Sequence, residues 1–150
     1  MVKTLLPPLS ASRNFEFIGN QKDDSIVIGN YGDAKFVAKG NFELSGLVFC
    51  SKNTLEISLN GTGTVSLRGV CKKLIIRGIR GNVTLDVSQL SSKLVWCESV
   101  KDQTTIKLGP TKVIELISLD DNSVLHIDGK PVIMNYVLSG NSKIHGHLEN

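Results

Sequence analysis

Aromatic residues and helical patterns are scarce in this sequence. Its 150 residues include only five Phe, two Tyr and one Trp, and no stretch keeps apolar residues at the i, i+3, i+4, i+7 spacing beyond about one turn. No apolar run approaches the roughly 20 residues of a membrane-spanning helix, and the pair Leu5 and Leu6 is too short for the apolar core of a signal peptide. We therefore expect no helical domain and no transmembrane segment. Either an export signal has been removed or the protein stays in the cytoplasm.

Motifs of metal sites, redox sites and nucleic-acid contacts are also missing from the sequence. The three cysteines, Cys50, Cys71 and Cys97, form no CxxC pair, which argues against a zinc site, a redox motif or a disulfide framework. Cys97 lies within an apolar run and is expected to be a buried small side chain. Cys50 and Cys71 lie about one repeat apart, which leaves a single disulfide between them open. The net charge of +3 is modest, so nucleic acid is not an expected partner.

What the sequence does contain is a repeat with a period of about 19 to 20 residues. Each repeat opens with an apolar run, and the first residues of these runs recur at intervals of 19, 20, 19 and 19. These residues are Leu55, Leu74, Leu94, Val113 and Val132. In the middle three repeats a lysine comes directly before the run, at Lys73, Lys93 and Lys112.

A second ladder shares this period. It starts from Asn82, Gln103, Asn122 and Asn141, and three positions further on come Leu85, Ile106, Leu125 and Ile144. Because short strands alternate their side chains and one such repeat cannot bury its apolar face alone, we expect the aliphatic set to face inward and the amides to stack along the axis. Two ladders with one period predict an all-β fold, a single-stranded parallel β-helix (β-solenoid) with about 19–20 residues per coil and about six or seven coils. A β-sandwich needs no such fixed return.

The register of the first strand is open in the repeat that contains VIELISL. The run LEISL alternates cleanly from Leu55, but the same columns would bury Glu115. A one-residue slip moves every side chain of a strand to the opposite face. Either a bulge intervenes here, or Ile114 and Leu116 are the inward pair.

The repeat is assigned to one domain, residues 11–150, preceded by an extended lead-in, residues 1–10, with two consecutive prolines. From residue 14 to residue 50 the alternation is weaker, and Gly–Asn pairs interrupt it because both residues tolerate positive φ. These pairs are Gly19–Asn20, Gly29–Asn30 and Gly40–Asn41. We interpret this part as one or two irregular opening coils, since the terminal repeat of a solenoid is usually atypical.

The stretch LEISLNGTGTVSLRG, followed by KLIIRGIRGNVTLDVSQLSSKLVW, resembles the head domain of auto-transporter adhesins, also called the head GIN domain. In that family an apolar strand, a Gly-x-Gly turn and a second strand recur, and here Gly61, Thr62 and Gly63 hold the Gly-x-Gly position. Later turns read LDDNS and LSGNS instead. The resemblance implies a right-handed β-helix, export, and a cell-surface or periplasmic location in bacteria.

One candidate ligand site is a basic cluster with no acidic residue among its members. It contains Arg68, Lys72, Lys73, Arg77 and Arg80. On one face these cations would attract an acidic polysaccharide or a lipid phosphate, with Arg68, Arg77 and Arg80 as the first choices. The alternative is a solvated face whose charge discourages aggregation. Aromatic interleaving, which single-stranded nucleic acid needs for base stacking, is absent.

The histidines form a candidate metal site. His126 and His145 are 19 residues apart in the outward column, so we expect them to stack at the strand spacing of about 4.8 Å. His147 follows as a third ligand, and zinc takes three or four such ligands. The alternative is an exposed polar column without a metal, and no cofactor is expected. That column would contain Arg68, Asp86, Lys107, His126 and His145.

A catalytic site is not expected. A glycosidase needs two carboxylates that face one cleft, and the pair Asp120 and Asp121 lies in a turn beside Asn122, where Asp usually bonds the backbone. No long insertion between repeats offers a cleft wall, and no GxSxG, HExxH or phosphate-binding Gly loop is present. A polysaccharide-active enzyme is therefore the lesser alternative.

Together these features lead us to expect a non-catalytic, adhesin-like module of the cell surface or envelope. Its regular face would bind an anionic glycan or a surface protein, or assemble with other copies. The family resemblance implies an extracytoplasmic location, whereas the missing signal peptide leaves the cytoplasm open. The competing class is an intracellular scaffold, either a filament subunit or a partner-binding β-helix, because exposed strand edges at a solenoid end favour head-to-tail association.

Overall fold

Short apolar runs between turns build a β-solenoid of about six turns with parallel strand pairing. The computed structural model describes residues 3–4, 13–29 and 32–146. The strands are β1 Lys3–Thr4, β2 Arg13–Ile28, β3 Ala34–Val87, β4 Leu90–Ser91, β5 Leu94–Val100, β6 Thr105–Leu108, β7 Val113–Leu119, β8 Val124–His126, β9 Val132–Ile133, β10 Tyr136–Leu138 and β11 Lys143–His145. The predicted fold class is thereby confirmed.

The length of a coil changes along the chain. Phe15 of β2 pairs with Phe36 of β3, 21 residues later, whereas Leu94 of β5 pairs with Val113 of β7, 19 residues later. The opening coils are therefore longer than the predicted period. They also contain the buried rings: Phe17 and Phe36 lie with centroids 5.2 Å apart, and both are part of the core.

The opening coils are more regular than the sequence suggested. β2 follows β3 in register from Arg13 to Asp23, and one shift between Asp23 and Ile26 separates this stretch from the next. Of the predicted lead-in, β1 pairs with Ile26 and Val27 of β2. Residues 1–2 and 5–10 of the lead-in, and residues 11–12 of the assigned domain, lie outside the described part of the chain.

The second ladder of the sequence has the predicted register. Leu85 pairs with Ile106, Ile106 with Leu125, and Leu125 with Ile144. The first three side chains are fully buried, and Ile144 of the last coil packs against the core while partly exposed. Burying a side chain of this size contributes about 1.5–3 kcal/mol to folding relative to leaving it exposed. This column is therefore one of the main sources of stability.

The first ladder is shifted by one residue at its second step. Leu74 pairs with Val95, and Lys73 pairs with Leu94. The predicted match of Leu74 with Leu94 is therefore wrong, because Val95 and not Leu94 occupies the buried inward position. The residue in register with Lys93 is consequently Lys72, whose carbonyl accepts the Lys93 N–H at 3.0 Å.

A bulge resolves the open register at Glu115. Val95 pairs with Ile114 but the next residue, Trp96, pairs with Leu116, so Glu115 is the extra residue. Ile114 and Ile117 are buried while Leu116 is half-exposed. The bulge is the correct alternative, and the inward partner of Ile114 is Ile117 rather than Leu116.

One corner of the coil is built from a column of residues with positive φ. In the opening coils glycines fill it, and Gly19 pairs with Gly40. In later coils Asp102 and Asp121 take over with φ of 61° and 57°, a left-handed conformation that Asp tolerates better than most residues. Their carboxylates also accept backbone N–H groups of the preceding coil: Asp102 from Gly81 at 2.9 Å, and Asp121 from Asp102 at 3.1 Å. The turns that depart from Gly-x-Gly thus keep a residue with positive φ at this corner.

One step of the expected amide ladder, the one between its last two members, is hydrogen-bonded beside this corner. Asn141 Nδ2 donates to Asn122 Oδ1 at 3.3 Å. A second pair in the opening coils, which the sequence indicated only as turns, joins Asn41 Nδ2 to Asn20 Oδ1 at 3.1 Å. Stacked amides therefore connect consecutive coils near both ends of the solenoid.

Candidate functional site

The predicted basic cluster is not a single unopposed patch. Arg77 is half-exposed between two acids of the neighbouring coils, with Nη1 3.0 Å from Glu56 Oε1 and Nε 2.7 Å from Glu98 Oε1. The hydrogen bond to Glu98 and the charge of Glu56 raise the pKa of Arg77 above its ordinary value. Lys73 lies 3.1 Å from Glu115. The expectation of unopposed charge is wrong at both cations, since their partners lie about one or two coils away in sequence.

The two other arginines of the cluster line different grooves. Arg80 lines a shallow groove of about 330 Å³ together with Arg77, Lys39 and Lys101. Arg68 lines another groove of about 450 Å³ together with Asp24. The structure therefore divides the predicted cluster, and its role in ligand binding stays a prediction.

A lysine column emerges from the corrected register. Lys93 N–H bonds the carbonyl of Lys72, and the pairing of Leu94 with Val113 places Lys112 beside Lys93. All three side chains are exposed, and none of them forms an ion pair with a described residue. We call Lys72, Lys93 and Lys112 the lysine column. Sequence reasoning placed Lys73 in this position because it did not see the one-residue shift.

A strip of half-exposed apolar residues adjoins the lysine column. Trp96 pairs with Ile75 on one side and with Leu116 on the other, and Leu94 pairs with Val113. All five side chains are half-exposed on the outside of the solenoid. We call these five residues the tryptophan strip. The ammonium group of Lys73 lies 6.0 Å from the centre of the Trp96 ring, so part of the indole face is covered.

The histidines stack as expected. His126 pairs with His145, and their rings are nearly parallel with centroids 5.2 Å apart. His147, the third predicted ligand, lies outside the described residues. The described part of the chain contains no group of three His, Cys, Asp or Glu residues that could hold a metal ion. Two imidazoles alone fall short of a zinc site, and the metal site stays a prediction.

The polar column that contains these histidines is in register over four of its five predicted members. Asp86 pairs with Lys107 and Lys107 with His126. Arg68 does not belong to it, because the next residue, Gly69, pairs with Leu90, four positions after Asp86.

Asp86 offers a test of the local geometry. Ser88 Oγ donates to Asp86 Oδ1 at 2.6 Å and Ser88 N–H at 3.0 Å. The hydrogen bond from the Ser88 hydroxyl lowers the pKa of Asp86 below 3.8. Partial burial opposes this effect, whereas the Ser88 N–H and the charge of Lys107 add to it. Because the pKa of Asp86 is lower in the folded protein, its carboxylate stabilises the fold at pH values above the ordinary pKa. This stabilisation is lost as the pH falls through the pKa of the folded state.

We expect Ser88→Ala to raise the Asp86 pKa toward 3.8 because the carboxylate loses its hydroxyl donor. NMR titration of the Asp86 carboxyl carbon measures the change. Asp128, for which no such bond is found among the described residues, serves as the internal control. An Asp86 pKa that does not respond to Ser88→Ala would show that the hydroxyl bond is not its cause.

The adjacent acids Asp120 and Asp121 serve the turn, as the sequence suggested. Asp121 N–H donates to Asp120 Oδ1 at 2.7 Å, which lowers the pKa of Asp120. Asp121 caps the neighbouring coil through its own carboxylate. Both side chains are therefore engaged with backbone groups.

The three cysteines are buried thiols, and no disulfide joins any two of them. Burial raises the pKa of Cys97 to about 12, and burial together with the nearby Cys50 does the same for Cys71. The sequence prediction for Cys97 is confirmed.

We expect all three thiols to resist modification in the native state, because the thiolate is the reactive species and burial disfavours it. Ellman's reagent should find almost no reactive thiol in the folded protein at neutral pH and three after denaturation. Fast reaction of a native thiol would show that the coil opens at that position. Fewer than three thiols after denaturation without reductant would reveal a disulfide.

No family model matches this chain, and searches of curated proteins and of solved structures found no significant match. Among the described residues, no helix has the length and apolar character needed to cross a bilayer. The functional argument therefore rests on the surface of the solenoid itself.

Proposed function

We propose that this protein is a non-catalytic, adhesin-like β-solenoid module of the cell surface or envelope that binds an extended ligand on one outer side. The observation that carries the proposal is the side formed by the lysine column and the tryptophan strip. There, cations that have no ion-pair partner among the described residues and half-exposed apolar groups are repeated through three consecutive coils.

Repetition suits an extended partner better than a small one. Solenoids present continuous surfaces because each repeat contributes equivalent positions at a fixed displacement. Here the displacement is the strand spacing of about 4.8 Å. A small molecule would contact one coil, whereas a chain or a flat partner surface gains contacts from each coil in turn.

Surface location is tested by shaving intact cells that express the protein natively. We expect an external protease to remove the protein while a cytoplasmic marker survives. Full protection, with the protein recovered in the soluble cytoplasmic fraction, would contradict the proposal. Protection that ends when only the outer membrane is permeabilised would still agree with an envelope location.

The last coil favours a second candidate, an intracellular scaffold that associates end to end. Five of the seven exposed large apolar side chains among the described residues lie there. They are Val132, Met134, Tyr136, Val137 and Leu138. Within the described chain, the strands of this coil, β9 to β11, pair on one side only. Open strand edges with apolar neighbours promote association.

Sedimentation velocity over a range of concentrations tests the scaffold. Growing polymers that Val132→Lys and Val137→Lys abolish would favour it, since both side chains are about 60% exposed. Phe49→Lys, at a comparably exposed site on another coil, is the matched control. A monomer or a closed small oligomer at all concentrations would favour the surface module.

A further inference from the structure

We propose that the lysine column, Lys72, Lys93 and Lys112, binds a linear acidic polysaccharide with one carboxylate per sugar ring, whose chain runs along the solenoid axis. This inference deepens the proposed function and rests on it for the biological setting. It differs from the sequence-based choice of Arg68, Arg77 and Arg80, of which Arg77 is already neutralised by Glu56 and Glu98.

The geometry defines an axial row of charges. Lys72 and Lys93 are joined by a backbone hydrogen bond of 3.0 Å, and the pairing of Leu94 with Val113 continues the row to Lys112. Each step equals one strand spacing, about 4.8 Å. Three ammonium groups therefore originate from a straight line that spans two such steps.

The row carries an electrostatic cost that a ligand would offset. Like charges that originate one strand spacing apart repel each other when no opposite charge lies between them. Some other cations of this chain are paired across coils: Lys22 lies 3.8 Å from Glu43, and Lys35 lies 3.6 Å from Glu56. The three lysines of the column have no such acid among the described residues. A chain of regularly spaced anions would supply the negative charges that the described residues do not place beside these lysines.

The spacing and the neighbouring surface favour a polysaccharide. A sugar ring in an extended chain has about the length of one coil step, so the carboxylates that face the column recur along the axis at that step or a multiple of it, within the range of flexible lysine side chains. The adjoining Leu94 and Val113 offer aliphatic surface to the C–H face of the rings. Nucleic acid fits less well, because a duplex backbone curves away from a straight row. Single strands need open aromatic faces, and Lys73 lies over the Trp96 ring.

The test uses polygalacturonate as the probe, with a neutral glucan of similar length and single-stranded DNA as comparison ligands. Isothermal titration calorimetry at low and raised salt measures the affinities of the full chain. We expect the triple variant Lys72→Gln, Lys93→Gln and Lys112→Gln to bind polygalacturonate about tenfold to a hundredfold more weakly. All three side chains are exposed, so the thermal unfolding midpoint should be unchanged or slightly raised.

A second triple variant separates the column from net charge. Lys22→Gln, Lys107→Gln and Lys143→Gln remove the same charge from exposed lysines that lie outside the groove of Arg77 and Arg80 and do not follow one another in consecutive coils. We expect it to lower the affinity less than about threefold, through long-range electrostatics alone. Equal losses in the two triple variants would overturn the proposal, as would an absence of binding by the unaltered protein. Equal affinity for DNA would overturn the choice of polysaccharide.

These results are distinguishable from a failure of the proposed function. If shaving places the protein at the surface but its lysine column does not bind polygalacturonate, the proposed function is supported and the ligand proposal is contradicted. If the protein is cytoplasmic but binds polygalacturonate through the lysine column, the ligand proposal is supported and the surface function is contradicted.

Discussion

Gly61→Ala should destabilise the solenoid by about 2–5 kcal/mol, because it combines backbone strain with a clash between coils. Gly61 has a φ of 136°, which L-residues rarely adopt. A Cβ built on it would also collide with the carbonyl oxygen of Gly40 in the preceding coil. That oxygen belongs to the backbone ladder and cannot turn aside without breaking it.

The chain contains a matched control for this substitution. Gly78 also has a positive φ, 79°, but a Cβ there would meet nothing within 4 Å. Gly78→Ala should therefore cost only the conformational term, about 1–2 kcal/mol. Urea denaturation of both variants measures the difference, which contains the clash and the greater strain of the φ of 136° at Gly61. Equal losses of unfolding free energy would contradict the clash and mean that the coils move apart at little cost.

Ile106→Ala should cost about 2–5 kcal/mol, because it opens a cavity in the middle of the core. Ile106 is fully buried between Leu85 and Leu125, its partners in the two adjoining coils. In a stack of coils each layer contacts only its neighbours, so the lost contacts cannot be replaced by a distant part of the chain.

Ile144→Ala is the matched control in the same column. Ile144 pairs with Leu125 in the last coil and is partly exposed, so we expect a loss of only about 1 kcal/mol. Native-state hydrogen exchange checks the location of each effect. Ile106→Ala should lower the protection of the central strands β5 to β8, and Ile144→Ala only that of β10 and β11. Equal effects would mean that the solenoid unfolds as one unit in which position along the axis is irrelevant.

The alternation of side chains explains how far sequence reasoning reached. The column Leu85, Ile106, Leu125 and Ile144 was predicted in the correct register, because an inward position tolerates few residues other than aliphatic ones. The same logic failed at Leu94, where Leu94 and Val95 are both apolar and either one suits the inside. Composition alone does not choose between two such neighbours.

The residues of the lysine column depend on whether Leu94 or Val95 faces inward. When Lys72 takes the place of Lys73 in the column, a lysine that pairs with Glu115 is replaced by one that has no acidic partner among the described residues. The sequence also left open the bulge that inserts Glu115. Its separation from Lys73 is two coils, and nothing in the local sequence indicates a contact over that distance.

The sequence by itself determined the fold class, the approximate period and the inward columns, because the hydrophobic effect acts on every coil with the same alternation. Only the tertiary structure decided which charges face each other. A pairing across coils depends on the sum of all insertions and bulges between two residues, and one extra residue moves an ion pair to a different column. The position of the acids around Arg77 and the lack of a described acid beside the lysine column both follow from that register.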